Sequence, residues 1–222
     1  MSRFPTVLGA ALCLSTLCFA CGTRPPAARG APPALPPSTA ASAPPAPAGL
    51  ATGGWHLTVY YTPVETFHGP PRKSISDCAG RQLGEHSADF LAHVQTEGFG
   101  RVVAPIQKQS YLGWNFDRRC WFMAATPVGS NDRPLRAWVS TAAPAPLAAG
   151  MGVRVVSCGT DVDTAVCARV KAAAWTVDDR CSYGCTDPQH LDLYVGEEDR
   201  PHFEDQSPDY FDAHGAVVTL FG

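Results

Sequence analysis

An aspartate in the middle of a predicted strand is the residue best placed to do chemistry. Asp192 interrupts the apolar run 191–195, and Asp is disfavoured inside strands. Because side chains alternate along a strand, His190 and Tyr194 share the face of Asp192, opposite Leu191, Leu193 and Val195. An aspartate at this position needs a reason. Either it makes a structural hydrogen bond or it belongs to a site, and the sequence leaves both interpretations open.

More acidic residues precede this strand. Asp178 and Asp179 follow the strand-like run 175–177, and Asp187 lies in the loop before His190. A general acid must hold a proton near neutral pH, which burial or acidic neighbours achieve by raising its pKa. These aspartates can supply such neighbours to Asp192, and His190 can share its proton. A loop-shaping role for Asp178 and Asp179 is the alternative, and His190 with Asp192 could also be half of a metal site.

Short β-rich runs separated by turn residues fill most of the chain after residue 55. Ser87 is a good cap for a short helix that carries Phe90, Leu91 and Val94 on one face and ends at Gly98. This pattern predicts a small all-β barrel or sandwich with one or two short helices. The predicted strands cover residues 56–62, 101–104, 120–123, 135–139, 153–156, 175–177, 191–195 and 216–220.

Six of the nine cysteines fall in this β-rich part, and an even number in an exported domain predicts three disulfides. Local spacing favours one bond across a hairpin and one within a loop, with the last pair left by elimination. Zinc at the C-x3-C of residues 181–185 is the alternative, but no second Cys/His pair has the right spacing. The acidic residues 161 and 163 are expected at a solvated hairpin tip and not at a calcium site. The expected pairs are Cys158–Cys167, Cys181–Cys185 and Cys78–Cys120.

The first 50 residues have a different composition. Arg3 precedes the 14-residue apolar stretch 7–20, which ends in Ala20-Cys21 and resembles a bacterial lipoprotein signal. We therefore expect a signal peptide over 1–20 and a lipidated Cys21 that anchors the chain to a membrane; a plain secretory signal is the alternative. Residues 22–50 hold nine Pro and nine Ala, so 21–50 is expected to be a linker and 51–222 the folded domain.

The overall composition excludes several classes of function. The net charge is −3 and no basic stretch stands out, so nucleic acid is not expected as a partner. A hydrophobic fraction of 45% argues against disorder. No Gly-rich phosphate loop, G-x-S-x-G or H-E-x-x-H motif is present. We expect no cofactor and no metal.

Several segments together resemble a known cell-wall family. HLDLYVG (190–196), with the aspartates before it, resembles the three-aspartate domain, whose fold is the double-psi β-barrel of membrane-bound lytic transglycosylase A and rare lipoprotein A. TVYYT (58–62), APLAAGMGV (145–153) and YFDAHGAVV (210–218) resemble other parts of that pattern. The resemblance is strongest over 175–218 and weak over 64–135. Cysteines replace the family's glycine-rich loop, and Ser140 and Thr141 lie near where the family has another Asp.

This resemblance implies a six-stranded double-psi barrel that breaks the β-1,4 bond between muramic acid and glucosamine in peptidoglycan. The sugar's own 6-hydroxyl closes an anhydro ring, so one carboxyl suffices where an ordinary glycosidase needs two. By position, Asp192 corresponds to the family's catalytic acid. Asp179 and His190 are expected to help bind or tune the site. Tyr60 and Tyr183 are candidates for stacking on the sugars.

Two other classes of function remain open from the sequence. Expansin-like barrels share this fold, and some bind wall polymers without cleaving them. A secreted inhibitor or toxin built on a disulfide-tied barrel is the other class, in which Asp192 would be incidental. An Asp192 that lies with other carboxylates and aromatics favours a carbohydrate site. A buried Asp192 bonded to backbone would weaken the enzyme interpretation.

Overall fold

The computed structural model describes residues 49–181, 185 and 187–222. The predicted signal peptide, Cys21, most of the linker and Tyr183 lie outside the described residues. Within the described part, none of the helices has the length and apolar character to cross a bilayer. The elements in chain order are β1 (Ala51–Thr62), a 3-10 helix (Glu65–Phe67), β2 (Arg72–Ser76), β3 (Gln82–Ser87), α1 (Ala88–Glu97), β4 (Phe99–Ile106), β5 (Gln109–Asn115), β6 (Cys120–Ala124), β7 (Ser140–Ala143), β8 (Gly152–Ser157), α2 (Thr164–Ala172), β9 (Trp175–Arg180), β10 (His190–Glu197), α3 (Phe203–Gln206) and β11 (Ala213–Phe221).

Six strands close into a barrel in the order β1-β10-β7-β9-β8-β11. The β1–β10 and β7–β9 pairs are parallel, and the other four pairs are antiparallel. The prediction of a mainly β chain with a closed six-stranded barrel is therefore confirmed. Closure pairs the N-terminal strand with the C-terminal strand and leaves the barrel without a free edge.

The barrel interior is filled by alternate residues of its strands. Leu57, Val59 and Tyr61 of β1 pack against Leu191 and Leu193 of β10, all of them nearly inaccessible to solvent. The intervening residues of both strands point to the outer face, because side chains alternate. The apolar and polar faces of β10 are therefore the ones that the sequence predicts, and Asp192 lies outside the core.

The chain between β1 and β7 builds a second, smaller core. The β2–β3 hairpin and the β4-β5-β6 sheet pack around α1. Phe90, Leu91 and Val94 of α1 are buried there. This segment covers most of the region in which the sequence resemblance is weak. Arg101 of β4 and Tyr111 of β5 both bond the carboxylate of Glu197 at the end of β10, each at 2.7 Å, and so hold this lobe against the barrel.

The helix predicted after Ser87 is confirmed. The Ser87 side chain accepts the bond from the N–H of Phe90, and Gly98 ends the helix at φ 91°, a conformation that favours glycine. The expectation of one or two helices was too low, because α2 and α3 add to α1 among the described residues. Residues 135–139, predicted as a strand, form a turn in which Trp138 has φ 59°. β7 begins only at Ser140.

All three expected disulfides are present: Cys78–Cys120, Cys158–Cys167 and Cys181–Cys185. The predicted hairpin between Cys158 and Cys167 was wrong. Asp163 lies not at a hairpin tip but at the N-cap of α2, where its carboxylate accepts from the N–H of Ala165 and Val166. The Cys158–Cys167 bond therefore ties the residue after β8 to α2. Three disulfides in a chain of this size fit an exported protein.

Candidate active site

Asp192 lies on the outer face of the barrel, where β1 and β10 run parallel and in register. That register places Thr58 beside Asp192 and Tyr60 beside Tyr194. On its other side Asp192 pairs with Ala142 of β7, whose methyl side chain leaves the carboxyl room. The Asp192 side chain is half-buried. The strand pairing thus presents one carboxyl on a wall formed by three strands.

A side-chain hydroxyl, and not the backbone, holds the Asp192 carboxyl. The Thr58 hydroxyl donates to Asp192 Oδ1 at 2.8 Å, and the hydroxyl oxygen of Thr58 also lies 2.8 Å from His190 Nε2. Because the hydroxyl has one proton and gives it to Asp192, His190 Nε2 must donate in the second bond. Among the described residues, no backbone N–H donates to this carboxyl. The arrangement leaves Oδ2 as the oxygen that can meet a substrate.

The surroundings of Asp192 favour its protonated form. Burial raises its pKa to about 6, against the bond from Thr58, which lowers it. The negative charge of Asp179 raises it further, and His56 lowers it. The pKa of His190 falls to about 4, chiefly because the ring is buried, with the neighbouring His56 adding to the effect. At neutral pH the pair is therefore a neutral imidazole beside a carboxyl that is partly protonated.

One strand, β7, lies between Asp179 and Asp192, because both residues pair with Ala142. Two strand spacings separate them, about 10 Å between backbones. Asp179 Oδ1 accepts from the N–H of Ser130 and from that of Arg180, each at 2.7 Å. Burial nevertheless raises the pKa of Asp179. The sequence predicts an acidic neighbour that raises the pKa of Asp192, and Asp179 is such a neighbour.

A glycine brings the loop before β7 close enough to bind Asp179. A Cβ at Gly129 would lie 2.2 Å from the carbonyl oxygen of Asp178, far inside van der Waals contact. Only glycine permits this approach, which places the N–H of Ser130 on Asp179. The neighbouring Asp178 is buried and bonds Arg133 at 3.1 Å and Ser140 at 2.8 Å. Asp178 therefore ties the loop that carries Arg133 to Ser140 at the start of β7. Ser140 lies near the position where the resembled family has another aspartate.

Glu97 is a third carboxyl of this region, close enough for the charge of Asp192 to affect its pKa, and the sequence does not predict it. Its Oε2 accepts from the N–H of Tyr61 at 3.2 Å. Burial raises the pKa of Glu97 well above its usual range, and the negative charges of Asp192, Glu204 and Glu198 raise it further. Glu97 is the last residue of α1, where the helix dipole also disfavours a negative charge. The one feature of the sequence that points to Glu97 is its place at the C-terminus of a predicted helix, where an acidic residue is unfavourable.

The predicted sugar-stacking residue Tyr60 is 8% exposed and packs against Tyr194, with 5.1 Å between ring centroids. This burial leaves little of its ring for a sugar. Its hydroxyl is buried without a hydrogen-bond partner among the described residues. Burial raises the pKa of Tyr60 well above its usual value, and Asp179 and Asp192 add to the effect. Tyr60 therefore supports the wall beside Asp192 and adds no charge to it.

The surface also holds a cavity of about 260 Å³, against the β4-β5-β6 sheet and lined by residues that include Asp77, Arg81, Arg118 and Trp121. Its acid, Asp77, has a lowered pKa because it accepts the N–H of Arg81 and pairs with that side chain. A carboxyl kept ionised in this way is a poor general acid. The chemistry therefore points to Asp192, which does not line this cavity.

The fold is shared with solved lytic transglycosylases. MltA of Escherichia coli with bound chitohexaose superposes with a TM-score of 0.50 and 16% identity, over 76% of this chain and 71% of that one. A membrane-bound lytic murein transglycosylase of Agrobacterium tumefaciens gives a TM-score of 0.50 and 12% identity, over 75% and 73%. No protein-family sequence profile matches the chain, and no curated protein matches it. The similarity confirms an MltA-type barrel fold; the finer assignment to a double-psi, three-aspartate domain stays a prediction.

Proposed function

We propose that this chain is a lytic transglycosylase that cleaves the glycan strands of peptidoglycan with Asp192 as its only acid and base. The observation that carries the proposal is the state of Asp192, a half-buried carboxyl with a pKa of about 6 that a single hydroxyl holds on the outer face of the barrel. The shared fold with lytic transglycosylases, one of them solved with chitohexaose bound, supports it.

The proposed reaction uses one carboxyl twice, first as the acid and then as the base. Protonated Asp192 gives its proton to the glycosidic oxygen as the bond from C1 to that oxygen breaks. The 6-hydroxyl of the same muramic acid then forms the new bond to C1, and its proton passes to the Asp192 carboxylate. The carboxyl is regenerated, an anhydro sugar is made and no water is consumed. Hydrolysis by two carboxylates would instead need a second group to activate water.

The raised pKa is what makes this acid usable. With a pKa of about 6, about 9% of Asp192 is protonated at pH 7; with the usual aspartate value of 3.8 that share would be about 0.06%. Burial therefore increases the reactive form more than a hundredfold. Thr58 works in the opposite direction and keeps the pKa from rising further. It also fixes the carboxyl, because Oδ1 is engaged and Oδ2 is left for the glycosidic oxygen.

Three other residues around Asp192 are proposed to assist. Asp179 raises the pKa of Asp192 by its charge and can accept a hydrogen bond from a sugar hydroxyl through Oδ2. Neutral His190 orients Thr58. Glu97, whose pKa is raised by burial, can hydrogen-bond a sugar hydroxyl. Tyr183 remains proposed as a sugar-stacking residue from the sequence alone.

A glycan-binding barrel without cleavage is the second candidate. The replacement of the family's glycine-rich loop by the Cys181–Cys185 disulfide supports it, because the altered loop lies just before β10 and Asp192. Binding alone would need the wall of polar and aromatic groups but no proton on Asp192. The two candidates therefore differ in the product, not in the affinity.

Incubation with purified peptidoglycan and mass spectrometry of the soluble products separates them. The enzyme releases fragments that end in anhydromuramic acid, and Asp192→Asn abolishes that release while the chain still binds the polymer. Asp117→Asn is the control, because this carboxylate is exposed in the turn between β5 and β6 and has no part in the proposed reaction. Binding without release by the wild type rejects the enzyme and favours the second candidate.

We also propose that the mature chain is a lipoprotein anchored through Cys21 in the cell envelope. The apolar stretch before Ala20-Cys21 and the Pro/Ala-rich linker after it support this. Cys21→Ser is expected to abolish acylation, which metabolic labelling with a fatty acid detects. An unacylated mature N-terminus beyond Cys21 in the wild type would show a plain secretory signal.

A further inference from the structure

A cluster of two histidines and an aspartate lies on the outer face of the barrel, where its first and last strands meet. His56 belongs to β1, His214 to β11, and Asp212 immediately precedes β11. His56 Nε2 lies 2.6 Å from Asp212 Oδ1, and His214 Nε2 lies 3.5 Å from the same oxygen. The three potential ligand atoms all lie within 4.8 Å of one another. Two imidazole nitrogens and a carboxylate oxygen therefore converge on one small volume.

The cluster is open to solvent on one side. The side chains of Asp212 and His214 are 66% and 71% exposed, whereas that of His56 is 20% exposed. The rings of His56 and His214 stack with centroids 4.1 Å apart. One fixed ligand and two that can rotate allow the donors to reach the 2.0–2.2 Å distances of a bound zinc ion, with a position left for water.

We propose that His56, Asp212 and His214 form a site for a divalent transition-metal ion, with Zn²⁺ as the ion that best fits two imidazoles and a carboxylate. The proposal rests on the geometry of these three side chains and not on the proposed glycan cleavage, although His56 also packs against His190, with 4.2 Å between the ring centroids. Its consequence is mechanical. An ion held by His56 and His214 clips β1 to β11, which is the seam where the barrel closes.

A second group of two histidines and an aspartate is a poor metal site. His68, Asp89 and His93 also come close together. However, His68 Nδ1 bonds Asp89 at 2.7 Å and His68 Nε2 bonds Glu198 at 2.8 Å. Both ring nitrogens of His68 therefore face carboxylates, one of which, Glu198, lies outside the group. Because both nitrogens are held in these bonds, we assign no ion to this second group.

The test is a zinc titration of the full, untagged chain after alkylation of its free thiols, so that no cysteine outside the disulfides can bind the ion. Isothermal titration calorimetry is expected to give one Zn²⁺ per chain, and the melting temperature is expected to rise with Zn²⁺ concentration. Cobalt(II) is expected to give the visible absorption bands of a four-coordinate ion. His214→Gln is the principal variant, because this exposed residue can change without disturbing the fold. It should weaken Zn²⁺ binding at least about tenfold and remove the rise in melting temperature.

His93→Gln, in the second group, is the matched control and should bind Zn²⁺ like the wild type. Asp212→Asn should weaken binding as His214→Gln does, and His56→Gln is interpreted only if its far-ultraviolet circular dichroism matches the wild type. The proposal is overturned if the wild type binds no stoichiometric Zn²⁺. It is equally overturned if His214→Gln binds as tightly as the wild type, or if His93→Gln is the variant that loses the ion.

Discussion

Replacement of Thr58 by valine tests how the Asp192 proton is controlled. The substitution keeps the shape of the side chain and removes the hydroxyl that donates to Asp192 Oδ1 at 2.8 Å. A hydrogen bond to a charged group contributes about 1.5–3 kcal/mol, and 1.36 kcal/mol corresponds to one pKa unit. Protonated Asp192 keeps part of that bond, so we expect the pKa to rise by about one unit, from about 6 to about 7.

The assay is the pH profile of kcat/KM for the release of anhydro fragments, between pH 4 and pH 9. A general acid loses activity about tenfold per pH unit above its pKa. The alkaline limb of Thr58→Val is therefore expected about one unit above that of the wild type. At pH 8, activity relative to each protein's own acidic plateau should be about ninefold higher in the variant, because about 9% of Asp192 is protonated instead of about 1%.

Thr58→Ser is the matched control, since serine keeps the hydroxyl and loses only a methyl group. The alkaline limb of the Thr58→Ser pH profile is expected to coincide with that of the wild type. Normalisation to the plateau removes any loss that follows from freeing His190 Nε2, which Thr58 also accepts from. An alkaline limb that stays in place in Thr58→Val, or that moves to lower pH, would refute the assignment of this limb to Asp192.

Three further outcomes follow from the same contacts. Asp192→Asn should stabilise the folded chain by about 1–3 kcal/mol at pH 7.5, measured by urea unfolding. The pKa of Asp192 is about 6 in the folded chain and 3.8 in an ordinary aspartate, so ionisation of this carboxyl above pH 6 costs folding free energy that Asn avoids. The gain should disappear near pH 4, where the folded chain holds the proton. Tyr60→Phe removes a buried hydroxyl without a partner among the described residues and should raise stability by about 1 kcal/mol, measured as a higher melting temperature; a fall would mean that the hydroxyl is satisfied. Loss of the Cys78–Cys120 bond, which spans 42 residues, in a double serine variant should cost about 3–4 kcal/mol in the chain-entropy model, and an unchanged denaturation midpoint would contradict it.

The parts that the sequence predicts correctly are those set by local patterns. The alternation around Asp192 defines both faces of β10, because a strand repeats every two residues. Ser87 and Gly98 define α1, because a helix end needs a side-chain acceptor at one side and a left-handed residue at the other. Asp163 is the same kind of signal for α2, but the separation of nine residues between Cys158 and Cys167 also fits a hairpin.

The strand and the site residues that the sequence does not predict depend on contacts between distant segments. β3 is largely polar and becomes a strand only by pairing with β2 beside the small second core. Glu97 is 95 positions from Asp192 in the sequence. The charge of Asp192 reaches Glu97 because the lobe packs on the barrel, and no pattern in either segment predicts that packing. The His56–Asp212–His214 cluster likewise forms only when the last strand closes the barrel against the first.

The most direct test of the central claim is digestion of purified peptidoglycan in water enriched with oxygen-18. Attack by the sugar's own 6-hydroxyl consumes no water, so the fragments released by the wild type should end in anhydromuramic acid and carry no oxygen-18. Asp192→Asn should release none of them. Fragments with a reducing end and one atom of oxygen-18 would show hydrolysis instead and would contradict the account, as would undiminished release of anhydro fragments by Asp192→Asn.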